Sequence, residues 1–322
     1  MRLRILSQDE VRAAIDMRQA IEAMREAFRQ VSTRQARVPL RLPLATDRGV
    51  TLFMPAYLQE SGELGAKVVS VYERNAERAL PVIHALVLVL DNETGVPQAI
   101  MDGTYLTALR TGAASGLATD LLARAGASVV AVFGAGAQAR TQLEAVRAVR
   151  AIREVRIVSR SRESAQRFAA EIEGVAVRVM DDRVAAVRGA DIIVTATTSA
   201  TPVFDGDAVE PGTHVNGIGS YTATMQEVPS TVVRQAKIVV DQREAALEEA
   251  GDLIIPLQQG IITEAAIYAE LGELVSGDKA GRVSDQEITF FKSVGNAAQD
   301  VVTAQRVLRA AEKKDLGTIV LL

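Results

Sequence analysis

Cysteine is absent from the chain, and His84 and His214 are the only histidines. The first absence excludes disulfides, thiolate metal sites and a cysteine nucleophile. The second leaves too few imidazoles for a histidine-rich centre, so no metal is expected. Tryptophan is missing and aromatic residues make up 4% of the chain. With a net charge of -4 and no basic run, there is neither the electrostatic footprint nor the stacking surface of a nucleic-acid binder. No apolar run approaches the roughly 18 residues of a membrane span. The opening MRLRILSQDE puts acidic residues where a signal peptide needs its apolar stretch, so a cytoplasmic, soluble protein is expected. Lysine is scarce as well. Among 36 basic residues only Lys67, Lys237, Lys279, Lys292, Lys313 and Lys314 are lysines, and Lys67 stands alone in the first 236 positions. A guanidinium stays charged, whereas the pKa of an ammonium moves on burial, so a lysine kept here is a candidate for proton chemistry.

What is present reads as globular, with 48% hydrophobic and 24% charged residues and length enough for two domains. Ser7 to Glu10 and Asp16 to Gln19 are capping boxes that start two helices, the second with Ile21, Met24, Phe28 and Val31 on one face. From Val38 to Met101 the pattern turns to strands, and PVIHALVLVL and VPQAIM flank a hairpin turn at residues 91–95. A long helix follows from about Thr104 to Ala125. Short apolar runs then recur at 128–133, 154–159, 175–180, 190–197, 213–219 and 236–241, mostly separated by helical spacers. Strands apolar on both faces and joined by helices predict a parallel sheet covered on both sides, a Rossmann-type doubly wound α/β domain beside a second α+β domain. A last helix begins near Asn296. The expected division is 1–115, completed by 300–322, and 116–299.

VVAVFGAGAQARTQLEAV sets Gly134, Gly136 and Ala139 between a predicted strand and a helix. Gly134 allows the tight turn, Gly136 the approach of a pyrophosphate to backbone N–H groups, and Ala139 close helix–strand packing. Dinucleotide binding is expected, with the phosphate at the helix N-terminus. The next strand ends in VSRSRES, with Ser159, Arg160 and Arg162 where an NAD site carries an acid for the ribose hydroxyl. A small hydroxyl with guanidinium neighbours favours NADP, with NAD as the alternative. Before this domain stand Arg41, Lys67 and Arg110, two cations suited to a carboxylate and one to proton transfer. His84 reads as a core or sheet-face residue and Asp102 as a helix cap or site residue. Asp300 reads as a cap or partner within the last helix, with no catalytic part.

Several segments together resemble the ornithine cyclodeaminase and mu-crystallin superfamily: MPAY at 54–57, GAKVVSVYERN, LPVIHALVLVLDNETGVPQAIMDGTYLTALRTGAASGLA, GAGAQA, VNGIGSY and GRVSDQEITFFKSVGNAAQD. The resemblance implies a homodimer in which the N-terminal region and last helix bind substrate and form the dimer. It also implies Lys67 as active-site lysine and Arg41 and Arg110 as carboxylate ligands, with Met54 and Tyr221 in the substrate site. Cofactor contacts are implied at Thr111, at Gly136, Ala137 and Gln138, at Ser159 to Arg162, at Thr197 and at Val294. Members that deaminate ornithine carry acids where this chain has Leu52 and Tyr221. Their absence favours an NAD(P)H-dependent oxidoreductase of amino-acid metabolism, a ketimine reductase acting on a small carboxylated imine such as 1-pyrroline-2-carboxylate. Ornithine cyclodeaminase, an alanine dehydrogenase-like enzyme and a non-catalytic NADPH-bound ligand-binding protein are the alternatives.

Overall fold

The structure, a computed structural model, describes residues 1–75 and 77–322. The chain divides into two compact units, Met1–Arg110 with Asn296–Leu322, and Thr111–Gly295.

In chain order the first unit contributes β1 (Arg2–Leu6), β2 (Ala36–Arg37), β3 (Leu42–Thr46), β4 (Gly49–Leu58), β5 (Glu63–Val71), β6 (Ile83–Leu90) and β7 (Pro97–Asp102). A C-terminal strand, Thr318–Leu321, pairs antiparallel with β1, and β1 runs parallel to β7. From there β7, β6, β5 and β4 form an antiparallel meander, with β2 and β3 both on the outer side of β4. Both predicted capping boxes are present, Ser7 on the helix Gln8–Ala14 and Asp16 on the helix Met17–Ser32. In the latter, Ile21, Met24 and Phe28 are buried and Val31 is half-buried.

Side chains alternate faces along a strand, and here the register makes the alternation visible across the sheet. Met54, Lys67, Val87 and Met101 form one transverse row, and all four are buried. That face is covered by the terminal helix Ala297–Lys314. The next row, Leu42, Phe53, Val68 and Leu86, is apolar and exposed. Gly65 permits the helix to come close: a Cβ there would sit 2.4 Å from the Leu88 carbonyl and 3.3 Å from Val301 on the helix. His84 is exposed on the open face of β6, and Asp102 caps the helix Gly103–Leu122 by accepting from the Tyr105 N–H at 2.8 Å.

The second unit adds β8 (Val129–Phe133), β9 (Glu154–Val158), β10 (Ala176–Val179), β11 (Ile192–Thr195), β12 (His214–Gly217), β13 (Lys237–Val240), β14 (Ile267–Glu270) and β15 (Thr289–Lys292). The sheet is wholly parallel, in the order β10-β9-β8-β11-β12-β15-β13-β14. Val130, Val132, Ile192 and Val194 pack on one side with Leu143, Val146 and Phe168. Ala131, Phe133, Ile193 and Val215 pack on the other with Val187, Val232 and Leu253. Both faces being dry explains why these strands read as unbroken apolar runs, each buried side chain contributing about 1.5–3 kcal/mol. The strand order reverses between β8 and β11, and in such sheets the crevice outside the carboxyl ends at that point is where ligands bind.

Candidate active site

In the first unit, β5 presents Lys67 toward the terminal helix, and the helix answers with Asp300. Lys67 Nζ lies 2.7 Å from Asp300 Oδ2, with Lys67 2% exposed and Asp300 0%. Arg110 reaches the other carboxylate oxygen, Nε to Oδ1 at 3.0 Å, and donates from Nη1 to Gln299 Oε1 at 2.7 Å. Burial is the largest influence on Lys67 and pushes its pKa down. Asp300 pulls it back up, Arg110 and Arg41 push it down again, and the balance is about 8, from 10.5. Burial pushes the Asp300 carboxyl up, and the charges of Arg110 and Lys67 more than reverse this, holding it below its ordinary value. Arg41 is half-buried just before β3, near enough for its charge to act on Lys67. Met54 is buried opposite Lys67 in the β4–β5 ladder.

The expectation that Asp300 caps or pairs within its own helix is corrected. Asn296 is the cap, its Oδ1 accepting from the Ala298 N–H at 3.1 Å. Asp300 stands one turn further on and bridges β5 and the helix carrying Arg110. Gln299 was not anticipated either. The available signal was QD in an otherwise uncharged AAQDVVTA stretch, polar residues where a helix facing a sheet should be apolar.

In the second unit, Gly134 has φ +114°, and a Cβ there would lie 2.4 Å from the Ala196 carbonyl and 3.5 Å from Thr197 Cγ2. Only glycine allows β8 and β11 to end this close together. Gly136 is the N-cap of the helix Ala137–Val149 and supplies no side-chain cap, while a Cβ there would meet nothing within 4 Å. A helix that leaves its first-turn N–H groups uncapped beneath open space, beside the switch point, fits the pyrophosphate of a dinucleotide. Gln138 in this turn has its buried Oε1 without a partner among the described residues. Thr197 donates its N–H to Glu227 Oε1 at 2.6 Å, and Val294 donates its N–H to Asp241 Oδ2 at 2.9 Å. Buried Thr111 accepts from Gln142 Nε2 through its carbonyl at 3.1 Å. After β9 come half-buried Ser159, exposed Arg160 and exposed Arg162, the last paired with Asp181. Tyr221 is 41% exposed, on the segment following β12. His214 and Asn216 are buried in the sheet, where the imidazole bonds Thr289 and Asn216 and burial holds its pKa down at about 3, so it stays neutral.

A profile of the ornithine cyclodeaminase/mu-crystallin family matches residues 1–315. The chain belongs to this family. It is 40% identical over 319 residues to the Delta(1)-pyrroline-2-carboxylate reductase of Bacillus cereus, covering 97% of this chain and 98% of that protein. The solved Delta(1)-pyrroline-2-carboxylate reductase of Thermococcus litoralis, in complex with NADH and L-proline, superposes with a TM-score of 0.94 at 41% identity, covering 98% of this chain and 99% of that one. An archaeal alanine dehydrogenase dimer with bound NAD gives 0.95 at 39% identity, with both chains covered in full. The family's first domain therefore carries, in this member, a buried ammonium between one carboxylate and two guanidinium groups. Its second domain carries a glycine turn shaped for a nicotinamide dinucleotide.

Proposed function

We propose that the protein is a nicotinamide-dependent reductase of a cyclic imine bearing a carboxylate, with 1-pyrroline-2-carboxylate as the model substrate and an L-amino acid as product. The observation that carries the reading is Lys67, an amine with a pKa near 8 held in the dry interior beside Arg110. Guanidinium groups match carboxylates in pairs of N–H bonds, so Arg110 and Arg41 are the carboxylate ligands, with Met54 as an apolar wall. Lys67 faces the imine nitrogen and donates a proton to it, which makes the adjacent carbon electrophilic. Asp300 keeps that ammonium charged in spite of burial. A bound reduced nicotinamide supplies the hydride that completes the C–H bond of the product. Gly134, Gly136, Ala137 and Gln138 hold its pyrophosphate, and Thr111, Thr197 and Val294 complete the site. Ser159, Arg160 and Arg162 take the ribose end and favour NADPH over NADH, because no acid stands there to repel a 2'-phosphate. Leu52 is apolar and Tyr221 carries no carboxylate, which sets ornithine deamination and alanine oxidation behind imine reduction.

The relatives' names support this reading: a reductase of the same imine matches nearly the whole chain, and a solved relative binds NADH and L-proline. The test is a screen of NADPH and NADH oxidation at 340 nm against 1-pyrroline-2-carboxylate, its six-membered homologue, pyruvate with ammonia, and ornithine. Fast oxidation with the cyclic imines, with the lower KM for NADPH, is expected. Ammonia released from ornithine without net absorbance change would replace the reading by cyclodeamination, and tight cofactor binding with no turnover on any of the panel by ligand binding alone.

The exposed row Leu42, Phe53, Val68 and Leu86 is the proposed contact with a second copy of the chain. An apolar stripe four strands wide is unusual on a monomer, and a solved relative is a dimer. Val68→Asp is expected to sediment as a monomer where the wild type sediments as a dimer.

A further inference from the structure

Two buried amides on the first turns of the terminal helix have fixed orientations. Asn296 Oδ1 accepts from the Ala298 N–H and Gln299 Oε1 from Arg110 Nη1. A backbone N–H and a guanidinium can only donate, so in both side chains the oxygen must point at that partner and the NH2 group away from it. Those two NH2 groups, Asn296 Nδ2 and Gln299 Nε2, are buried and meet no acceptor among the described residues. Asn296 is 5% exposed and Gln299 0%. Unmade hydrogen bonds of this kind are costly, and in native proteins each such group asks for a partner outside the chain.

The charges alongside say what kind of partner. Lys67 and Arg110 set two buried cations against the single carboxylate of Asp300. Burying an excess of positive charge is unfavourable until an anion arrives. The helix they surround, Ala297–Lys314, is 18 residues long and capped by Asn296, so its N-terminal dipole has the same sign. Asp300, Asn296 Oδ1 and Gln299 Oε1 all accept from groups already on the page, so what these side chains leave over among the described residues only donates. A ligand rich in lone pairs and carrying negative charge satisfies it.

We infer that Asn296 and Gln299 are substrate-binding residues, whose amide NH2 groups donate to the carboxylate of the imine alongside Arg110. The inference rests on the proposed reaction and adds two specificity residues to it. Gln299 would act twice, orienting Arg110 through its oxygen and reading the carboxylate through its nitrogen.

Asn296→Asp and Gln299→Glu test this cleanly, because each keeps the oxygen already in use, as helix cap or as Arg110 acceptor, and exchanges only the NH2 group for an acceptor. The measurement is kcat/KM on 1-pyrroline-2-carboxylate and on 1-pyrroline, which lacks the carboxylate, with calorimetric titration of L-proline and fluorescence titration of NADPH. The expected result is a fall of tenfold or more in the ratio of the two kcat/KM values, through KM, with NADPH affinity kept and L-proline affinity lost. Equal losses on both imines, an unchanged ratio, or a loss of NADPH affinity in place of the carboxylate effect would each overturn the inference; the first would mean a purely structural part, the second amides that hold only water, and the third amides that serve the dinucleotide. If the wild type reduced neither imine yet bound small carboxylates that the variants did not, the anion site would stand and the proposed reaction would fall.

Discussion

Lys67 in the first unit and Lys292 in the second are both buried and both face an aspartate, at 2.7 and 3.0 Å. Their surroundings differ. Lys292 Nζ also donates to the Gly217 carbonyl, and Asp252 spends its second oxygen on the Glu227 and Val228 N–H groups at 2.6 and 2.9 Å. Glu227 in turn accepts from Thr195, from the Thr197 N–H and from the Ser220 N–H. Each charged group there has several partners: Asp252 holds the Glu227–Val228 backbone, and Glu227 ties that segment to the end of β11. Lys67 has Asp300 as its sole partner among the described residues, and the second oxygen of Asp300 goes to another cation. That leaves ammonium hydrogens unspent in a dry place. Burial of an ion pair does not by itself mark a site; unspent donors and an excess of one charge are what make Lys67 the candidate and Lys292 not.

Removing each lysine should separate the two kinds of pair. Lys67→Met is expected to lower kcat by about 10²- to 10⁴-fold, the range of a lost acid–base group, while the protein stays folded by circular dichroism because Arg110 still partners Asp300. Lys292→Met is expected to destabilise by about 3–5 kcal/mol in denaturant melts, since it strands a buried carboxylate. If Lys67→Met merely unfolded and Lys292→Met merely slowed turnover, the comparison would be inverted.

Acid–base behaviour sharpens it further. In the proposed reaction Lys67 donates only while protonated, so kcat/KM should fall as pH rises through about 8. Asp300 raises the lysine pKa, and Asp300→Asn should therefore move that alkaline limb to lower pH, whereas Asp252→Asn should lower stability and leave the limb in place. The smallest effect is on stability. The Lys67 pKa is about 8 folded against 10.5 for the free side chain, so between these values the unfolded chain binds more protons and unfolding free energy rises with pH. Lys67→Met should lack that rise in melts taken across the same window.

Much of the second unit was legible because its signals are local. Gly134 announces a turn, and apolar runs at 128–133 and 190–197 announce strands dry on both sides. The first unit was less so. Strand β1 and the C-terminal strand Thr318–Leu321 are short, and they exist because each end of the chain pairs with the other. The partners of Asp300 are not legible locally, for a related reason. Arg110 and Asp300 lie 190 positions apart, and no periodicity within a helix reports what faces it across a core.

The sequence alone determined the alternation of strands and helices, the glycine turn and the scarcity of lysine, since backbone preference and hydrophobic period act over a few residues. Only the tertiary structure decided that one of those lysines meets Asp300 and Arg110 out of water. The low polarizability of a packed interior is what turns an ordinary ammonium into one that can release its proton near neutral pH.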